Sequence, residues 1–437
     1  MKTKGFFALL LILFLGLVLR FHNHLTWPRE GATFDEYAWT WLGMNIIQKH
    51  VPISWSPHPQ YKTRTHYVSP KGTPYWLVEP YLEHPPLFGL IAGTYALASG
   101  AKDMYSLEIA HIRGLALILG LASIIMVYSL SYELYDHKTA LFATVLFATI
   151  PTIVIGSRIV QNENFFIPGF LFILYSLIRY LKNKNKKFFY WSAVTAGLLT
   201  LAKVPWWGAT LSSILILFCH RRYKDAVIFL SIVFVFFSVF ILWGLYWDFE
   251  LFQNLWKLQL NRYDITFDGI FSLFTSPTLI DRSFLDGWIV VGWIAFFTLL
   301  TDMKKHTAII LGLLGYFAIY ILGIPNEPGH GWYRYPFYPF LIIAFSYVFL
   351  DSIKKHSLFV FFALSFIGVS LLQHTWKPTF GFSYGVYRMF LLSCGLTGLR
   401  VFFSGKWTER ISKISTIGIF AMLLLLNIWT VLIYNEQ

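Results

Sequence analysis

Charged residues are scarce in this chain. Asp, Glu, Lys and Arg make up 13% of its 437 residues, whereas about 25% is usual for a soluble domain. Hydrophobic residues make up 56% of the sequence, and the mean hydropathy is +0.57. This balance excludes an ordinary soluble protein. Roughly a dozen helices of ~20 residues with their loops fill a chain of this length, so we expect one all-α polytopic membrane domain over residues 1–437.

Cysteine is nearly absent as well. Cys219 and Cys394 are the only two, both lie in or beside apolar runs, and the sequence contains no Cys-x-x-Cys pair. A disulfide framework or a thiolate zinc site is therefore not indicated.

Acidic residues are outnumbered by basic ones, and the formal net charge is +13. In a soluble protein this excess would suggest a nucleic-acid partner. Here Lys and Arg cluster in short loops between apolar runs, as in Lys182–Lys187 and Arg221–Lys224, which is the positive-inside bias of membrane proteins. We expect no nucleic-acid partner, and we expect membrane lipids, including anionic ones, around these loops.

Apolar runs of suitable length predict about thirteen transmembrane helices. The first lies within residues 1–21, and no small-residue cleavage site follows it, so we expect it to be retained with the N-terminus in the cytoplasm. The others lie near 112–132, 138–156, 163–181, 188–202, 206–220, 225–246, 284–301, 306–323, 333–350, 357–373, 385–403 and 414–434.

The apolar run Pro85–Gly100 is short and begins with two prolines. If it crossed the bilayer, the lysine-rich loops would lie outside, against the positive-inside rule. We therefore predict a juxtamembrane helix in the interface. Residues 22–111 then form a large first extracytoplasmic loop with juxtamembrane helices, and residues 247–283 form a second long extracytoplasmic loop.

Two adjacent carboxylates, Asp35 and Glu36, follow the first span. Such a pair is costly near lipid unless it faces water, a cation or a substrate. A carboxylate can take a proton from a hydroxyl or amine nucleophile as a general base. We predict that Asp35 is this catalytic base and that Glu36 orients it or binds a cation. The competing interpretation is that Asp35 only caps a helix starting at Tyr37.

The first loop closes with Glu83 and His84, followed by two prolines and Leu87. Proline is tolerated in the first turn of a helix, so these side chains would lie at a helix N-terminus, which favours anions such as phosphate. Glu83 is instead a candidate ligand for a divalent metal, although one acid and one His do not identify which metal. The alternative for His84 is a simple polar cap.

Single cations recur at the extracytoplasmic ends of later spans, namely Arg158, Lys203 and Arg334, with the acid Glu163 near the first of them. Interfacial Trp and Tyr belts account for the aromatic neighbours of the last two, and Arg158 could snorkel to lipid headgroups. The sidedness bias nevertheless works against cations on this face. We predict that they bind a donor phosphate together with His84, with Glu163 as a further polar residue of the site.

One carboxylate base and several cations suit group transfer from a lipid-linked phosphate donor. The base activates the acceptor, and cations or a metal stabilise the departing phosphate. A transporter or flippase is the alternative function, but it would predict inverted repeats and charged or broken helices near the bilayer midplane. A non-catalytic scaffold would need neither the base nor the cations.

The order of these motifs resembles that of the polytopic GT-C glycosyltransferases, in particular the protein O-mannosyltransferase and aminoarabinose lipid A transferase group. The matching features are an Asp-Glu pair after the first span, His-Pro-Pro-Leu at 84–87, an Arg and an acid after the third span, Leu-Ala-Lys-x-Pro at 201–205 and Arg-Tyr-x-x-Tyr-Pro from 334. The resemblance implies a polyprenyl-phosphate sugar donor and an inverting transfer on the outer face. The acceptor would be a glycolipid, a glycan or a protein. It also implies that Asp35 is the catalytic acid of the first loop and that Glu83 and His84 lie near the donor phosphate or a metal.

Overall fold

A computed structural model of the chain describes residues 3–69, 72–260, 270–271, 273–274, 286–323, 331–381 and 383–434. The α-helices in these ranges are α1 (Thr3–Phe21), α2 (Asp35–Lys49), α3 (Leu87–Ala98), α4 (Arg113–Leu134), α5 (His137–Thr149), α6 (Pro151–Gly156), α7 (Asn162–Asn183), α8 (Lys186–Thr200), α9 (Trp207–Cys219), α10 (Tyr223–Trp247), α11 (Phe249–Leu260), α12 (Gly287–Leu299), α13 (Met303–Gly323), α14 (Tyr338–Lys354), α15 (Phe359–Leu371), α16 (Lys377–Phe380), α17 (Tyr384–Thr397), α18 (Leu399–Phe402) and α19 (Lys406–Ile433). Short 3₁₀ segments include Val204–Trp206 and Gly331–Phe337. The predicted helical membrane fold is confirmed.

Several helices have the length and composition of membrane spans. Within the described residues, 6 helical segments are long and apolar enough to cross a bilayer, and the total of about thirteen stays a prediction. The 25-residue α10 shows why lipid must surround the bundle. Val227 of this helix is 65% exposed and Val235 is 67% exposed. Contact of exposed apolar side chains with lipid tails is favourable, whereas their contact with water is not.

The lysine-rich loops meet at one end of the bundle. Lys182 and Arg179 both pair with Glu133 at the end of α4, and Tyr180 donates a hydrogen bond to Asp225 at the start of α10. The beginning of α1 lies at this same end, because Gly5 packs against the ring of His137. The loops on which the sequence places the candidate site residues meet at the opposite end.

The first long loop, predicted at 22–111, contains α2, α3 and a small antiparallel sheet. Its strands are β1 (Ser54–Trp55), β2 (Thr63–Val68) and β3 (Pro74–Glu79), in the order β1-β3-β2. Thr65 of β2 is opposite Leu77 of β3. Sequence analysis did not predict this sheet. The second predicted long loop, 247–283, begins with α11, and most of its remaining length lies outside the described residues.

Helices α2 and α3 form the platform of the site. Helix α3 has 12 residues, about 18 Å at ~1.5 Å per residue, which is short of the ~30 Å hydrocarbon core. Its juxtamembrane position stays a prediction. The two helices approach closely because glycines face each other. A Cβ added at Gly43 would lie 1.8 Å from the Gly89 carbonyl oxygen, so any side chain there would force the helices apart.

Candidate active site

The site is built where the first loop meets three later turns of the chain. The backbone N–H of Leu87 donates to the carbonyl of Leu201 at 3.0 Å, which joins the start of α3 to the turn that carries Lys203. Glu36 and Asp35 at the start of α2 reach the turn before α7, and Lys203 reaches Tyr333 in the 3₁₀ segment before α14. These contacts bring distant sequence motifs to one end of the bundle.

Asp35 is held by an amide. Gln161 donates from Nε2 to Oδ2 of Asp35 at 2.9 Å and to Oγ1 of Thr33 at 3.2 Å. The Oε1 atom of Gln161 accepts from Nε1 of Trp39 at 3.3 Å, so the amide is fixed with its donor side toward the carboxylate. Gln161 is fully buried, whereas Asp35 is partly exposed. Asp35 is thus oriented but accessible, as a base that meets a substrate must be.

Glu36 has a different environment from Asp35. Its two oxygens accept from Nε and Nη2 of Arg113 at 3.0 and 2.7 Å, and Oε1 also accepts from the backbone N–H of Val160 at 3.0 Å. Both side chains of the ion pair are at most 1% exposed. This bidentate pair fixes the first turn of α2 against the turn before α7. The predicted orienting role of Glu36 fits this geometry, and direct contact of its carboxylate with a substrate does not.

Lys203 and Glu163 form a second buried ion pair. The Lys203 ammonium lies 2.7 Å from Oε1 of Glu163 and 4.5 Å from the centre of the Tyr333 ring. Burial by itself lowers the pKa of Lys203, but the charges of Glu163, Tyr333 and Asp35 outweigh burial and raise it above the ordinary value. Lys203 is therefore a permanent cation, and the charge of Asp35 contributes to this.

A cleft of about 330 Å³ opens beside Lys203. Its polar lining includes Glu83, His84 and Lys203, whereas Trp207 and Ile319 contribute to its apolar side. The His84 ring packs on Trp39 at 5.1 Å between ring centres. The cleft thus combines a fixed cation with an apolar wall, which suits an anionic group attached to an apolar chain.

Glu83 lies among aromatic hydroxyls and one imidazole. Nε2 of His58 is 3.6 Å from its Oε2. Burial and the charge of Glu83 raise the pKa of Tyr61 and of Tyr81 well above the ordinary value, so both remain neutral hydrogen-bond donors. No group of three or more His, Cys, Asp or Glu with metal-binding geometry occurs in the part of the chain that the structure describes. The predicted metal at Glu83 stays a prediction, and no step below uses it.

Arg158 and Arg334 differ from Lys203 in where they lie. Arg158 is fully buried and donates to the carbonyl oxygens of Leu19 at 2.7 Å and Trp27 at 3.5 Å. Its guanidinium therefore joins α1 to the turn before α7, and it is not among the residues that line the cleft. Arg334 is 5% exposed, and its side chain hydrogen-bonds that of Tyr320. In sequence it follows Tyr333, which lines the cleft.

Sequence reasoning did not select Gln161, Arg113 or Tyr333. Gln161 precedes Asn162, whose Oδ1 accepts from Nε1 of Trp206 at 2.7 Å. Two adjacent amide side chains at the end of an apolar span could have been recognised in the sequence, because polar groups close to the bilayer need hydrogen-bond partners within the protein. No comparable signal marked Arg113, because its partner Glu36 is 77 positions away in the sequence.

Comparison with known proteins identifies the structural class of the chain. A family model described as dolichyl-phosphate-mannose-protein mannosyltransferase matches residues 83–247, which is less than half of the chain. Comparison with curated protein sequences finds no match. The solved structures that resemble the chain share the GT-C fold of membrane glycosyltransferases, and the predicted resemblance is thereby confirmed at the level of the fold.

Particular neighbours show how far this likeness extends. ArnT from Cupriavidus metallidurans in the apo state superposes with a TM-score of 0.61 at 13% identity, covering 99% of this chain and 78% of ArnT. ArnT bound to undecaprenyl phosphate gives 0.57 at 12% identity, covering 98% and 77%. The oligosaccharyltransferase AglB from Archaeoglobus fulgidus, in complex with an inhibitory peptide and a dolichol-phosphate, gives 0.53 at 13% identity over 95% of this chain, which spans only 60% of AglB. At such identities the likeness is one of fold.

Proposed function

We propose that the protein is a glycosyltransferase that moves a sugar from a polyprenyl-phosphate donor to an acceptor on the extracytoplasmic face of the membrane. The observation that carries the proposal is the pairing of an oriented carboxylate with a buried cation. Gln161 holds Asp35, the charge of Asp35 helps to raise the pKa of Lys203, and Lys203 lines a cleft with apolar walls. The complexes of ArnT with undecaprenyl phosphate and of AglB with a dolichol-phosphate support a lipid-linked donor for this fold.

The proposed reaction has one base and one cationic group. The Asp35 carboxylate takes the proton of an acceptor hydroxyl or amine. The freed lone pair attacks the anomeric carbon from the face opposite the phosphate, and the bond from that carbon to the phosphate oxygen breaks with inversion. The departing polyprenyl phosphate keeps the electron pair of this bond, and a fixed positive charge stabilises it as it leaves.

Lys203 is the proposed phosphate contact, with His84 beside it. Lys203 lines the cleft while it also pairs with Glu163, and Arg334 follows the cleft-lining Tyr333 in sequence. The apolar wall, which includes Trp207, Trp256 and Ile319, would hold the first isoprene units of the donor. Arg158 is assigned a structural role because carbonyl oxygens occupy its guanidinium.

The test is donor consumption by the purified protein. The protein in lipid nanodiscs would be incubated with a panel of polyprenyl-phosphate sugars, and release of free polyprenyl phosphate would be measured. Wild type should consume at least one donor, and the Asp35→Asn variant should consume it far more slowly. If sealed vesicles with the wild-type protein instead move a lipid or solute across the membrane without cleaving any donor, the enzyme proposal is wrong and the transporter alternative holds.

A further inference from the structure

A second polar cavity lies at the opposite, lysine-rich end of the bundle. It has a volume of about 350 Å³ and is formed by the C-terminal end of α14, the start of α15, the end of α17 with α18, and the first turns of α19. Its lining side chains include Lys354, Arg400, Glu409 and Lys413, which carry charge, and the imidazole of His356. None of these residues belongs to the proposed active site.

The charges of this cavity are unbalanced. Among the described residues that line it, three permanent cations, Lys354, Arg400 and Lys413, face the single acid Glu409. Arg400 and Glu409 approach only to 4.0 Å. Among the described residues, no acid lies within ion-pair distance of Lys354 or Lys413, although the charge of Lys354 helps to lower the pKa of Asp136. The Nε atom of Arg400 is buried and has no hydrogen-bond partner in the described part of the chain. Cations drawn together in a concave site without matching acids indicate an anionic ligand.

Hydroxyl groups and apolar surface complete the cavity. Ser357 and Thr416 line it beside the cations, and Val401 contributes apolar surface. Phe402 and Ile414, next in sequence to Val401 and Lys413, are 69% and 59% exposed. A phosphate ester in the cavity would thus meet cations and hydroxyls, while acyl chains attached to it would continue over an exposed apolar surface.

We propose that this cavity binds the headgroup of an anionic phospholipid from the leaflet at the lysine-rich end. The shared chemistry is a phosphate ester anion, and basic pockets between membrane helices on the cytoplasmic side bind such headgroups. The exposed apolar residues beside the cavity favour a lipid over a free phosphate compound. This inference is independent of the proposed glycosyl transfer.

The test is lipid binding by the full-length protein in detergent. Native mass spectrometry would measure affinity for phosphatidylglycerol and for phosphatidylcholine with the same acyl chains. A triple Lys354→Gln, Arg400→Gln, Lys413→Gln variant should lose about tenfold or more of its phosphatidylglycerol affinity. The matched control is Lys186→Gln, Lys187→Gln, Lys224→Gln, which removes the same charge from exposed residues at the same end but outside the cavity, and it should change the affinity less than about twofold.

A second variant keeps the test decisive if the triple variant does not fold. Glu409→Gln removes the one lining acid, so it should strengthen phosphatidylglycerol binding severalfold. The proposed site would be wrong if the cavity and control variants lost the same phosphatidylglycerol affinity, or if wild type bound the two lipids equally well. Displacement of the lipid by inorganic phosphate or glycerol 3-phosphate at concentrations similar to those of phosphatidylglycerol itself would overturn the assignment to a lipid.

Discussion

Gln161 donates its side-chain N–H to the Asp35 carboxylate at 2.9 Å, although the two residues are 126 positions apart. The bond joins the first turn of α2 to the residue before α7. A neutral amide can orient a carboxylate without the strong charge pairing that would suppress its basicity. The neighbouring Glu36 differs, because its carboxylate is paired with Arg113 and therefore has a structural role.

Replacement of the proposed base gives the first prediction. Asp35→Asn keeps the size of the side chain but cannot accept a proton, so turnover should fall by ~10²–10⁴-fold while donor affinity is largely kept. The control is Glu79→Gln, which neutralises an exposed acid at the end of β3 and should leave turnover unchanged. Turnover would be measured as release of polyprenyl phosphate. Near-normal release by Asp35→Asn would remove Asp35 from the mechanism.

The fold was largely predictable from sequence because the bilayer imposes strong constraints on length and hydrophobicity. Lysine-rich loops such as 182–187 and the short run before Gly100 were enough to assign loops to two faces, and the contacts of Glu133 and Asp225 group the lysine-rich loops at one end. The side-chain pairing was not predictable. Whether Arg158 faces a ligand or the carbonyls of Leu19 and Trp27 depends on how α1 packs, and a single sequence carries no such information.

The orienting role of Gln161 gives the second prediction. Gln161→Met removes the hydrogen bond to Asp35 but keeps the length of the side chain, and loss of a charge-assisted bond costs about 1.5–3 kcal/mol. The turnover number should therefore fall roughly 10- to 100-fold, while the KM for the donor stays nearly constant. A purely structural role would instead lower the melting temperature and leave the turnover number of the folded protein unchanged.

A carboxylate at position 161 extends the second prediction to the pH dependence of the rate. Gln161→Glu places a second carboxyl group beside Asp35, and two carboxyl groups that share a site are harder to ionise together than one alone. Because the base must be ionised to act, the acidic limb of the rate profile should move to higher pH. Rates would be measured across pH 4 to 9 with wild type in parallel. An unshifted profile would mean that Asp35 does not titrate as the base.

The Glu36 and Arg113 pair supports a third prediction, about stability. Glu36→Gln leaves the Arg113 guanidinium buried without its counter-charge, and breaking a buried ion pair from one side costs about 3–5 kcal/mol. The melting temperature in detergent should drop clearly, and Glu36→Gln combined with Arg113→Met should recover part of the loss. Loss of turnover at an unchanged melting temperature would instead mean that Glu36 takes a direct part in the reaction.

Membrane sidedness is the fourth prediction. A Cys219→Ala background removes the exposed native thiol, while Cys394 is buried. In intact cells, Thr65→Cys on β2 should react with a membrane-impermeant maleimide, and Lys186→Cys should react only after the cells are opened. Both positions are exposed, so access of the reagent alone should decide labelling. The reverse pattern would invert the assigned orientation.

The fifth prediction distinguishes two of the buried cations, Lys203 and Arg158. Lys203 lines the cleft and Arg158 does not, so only Lys203 should contribute to binding of the donor phosphate. Lys203→Gln with Glu163→Gln replaces the ion pair by neutral groups and avoids a lone buried acid. This variant should bind a polyprenyl phosphate roughly 10- to 100-fold more weakly than wild type, as expected for loss of a charged contact, and should bind the uncharged polyprenol equally well.

Arg158→Gln should behave in the opposite way. Because its guanidinium donates to the carbonyls of Leu19 and Trp27, the variant should lose thermal stability while the molecules that remain folded keep their donor affinity. Lys102→Gln, an exposed cation of the first loop, is the control for nonspecific attraction and should change neither quantity. If Arg158→Gln weakens phosphate binding as much as the Lys203 variant does, then Arg158 reaches the donor, and the carbonyl contacts of its guanidinium must be exchanged for the phosphate when the donor binds.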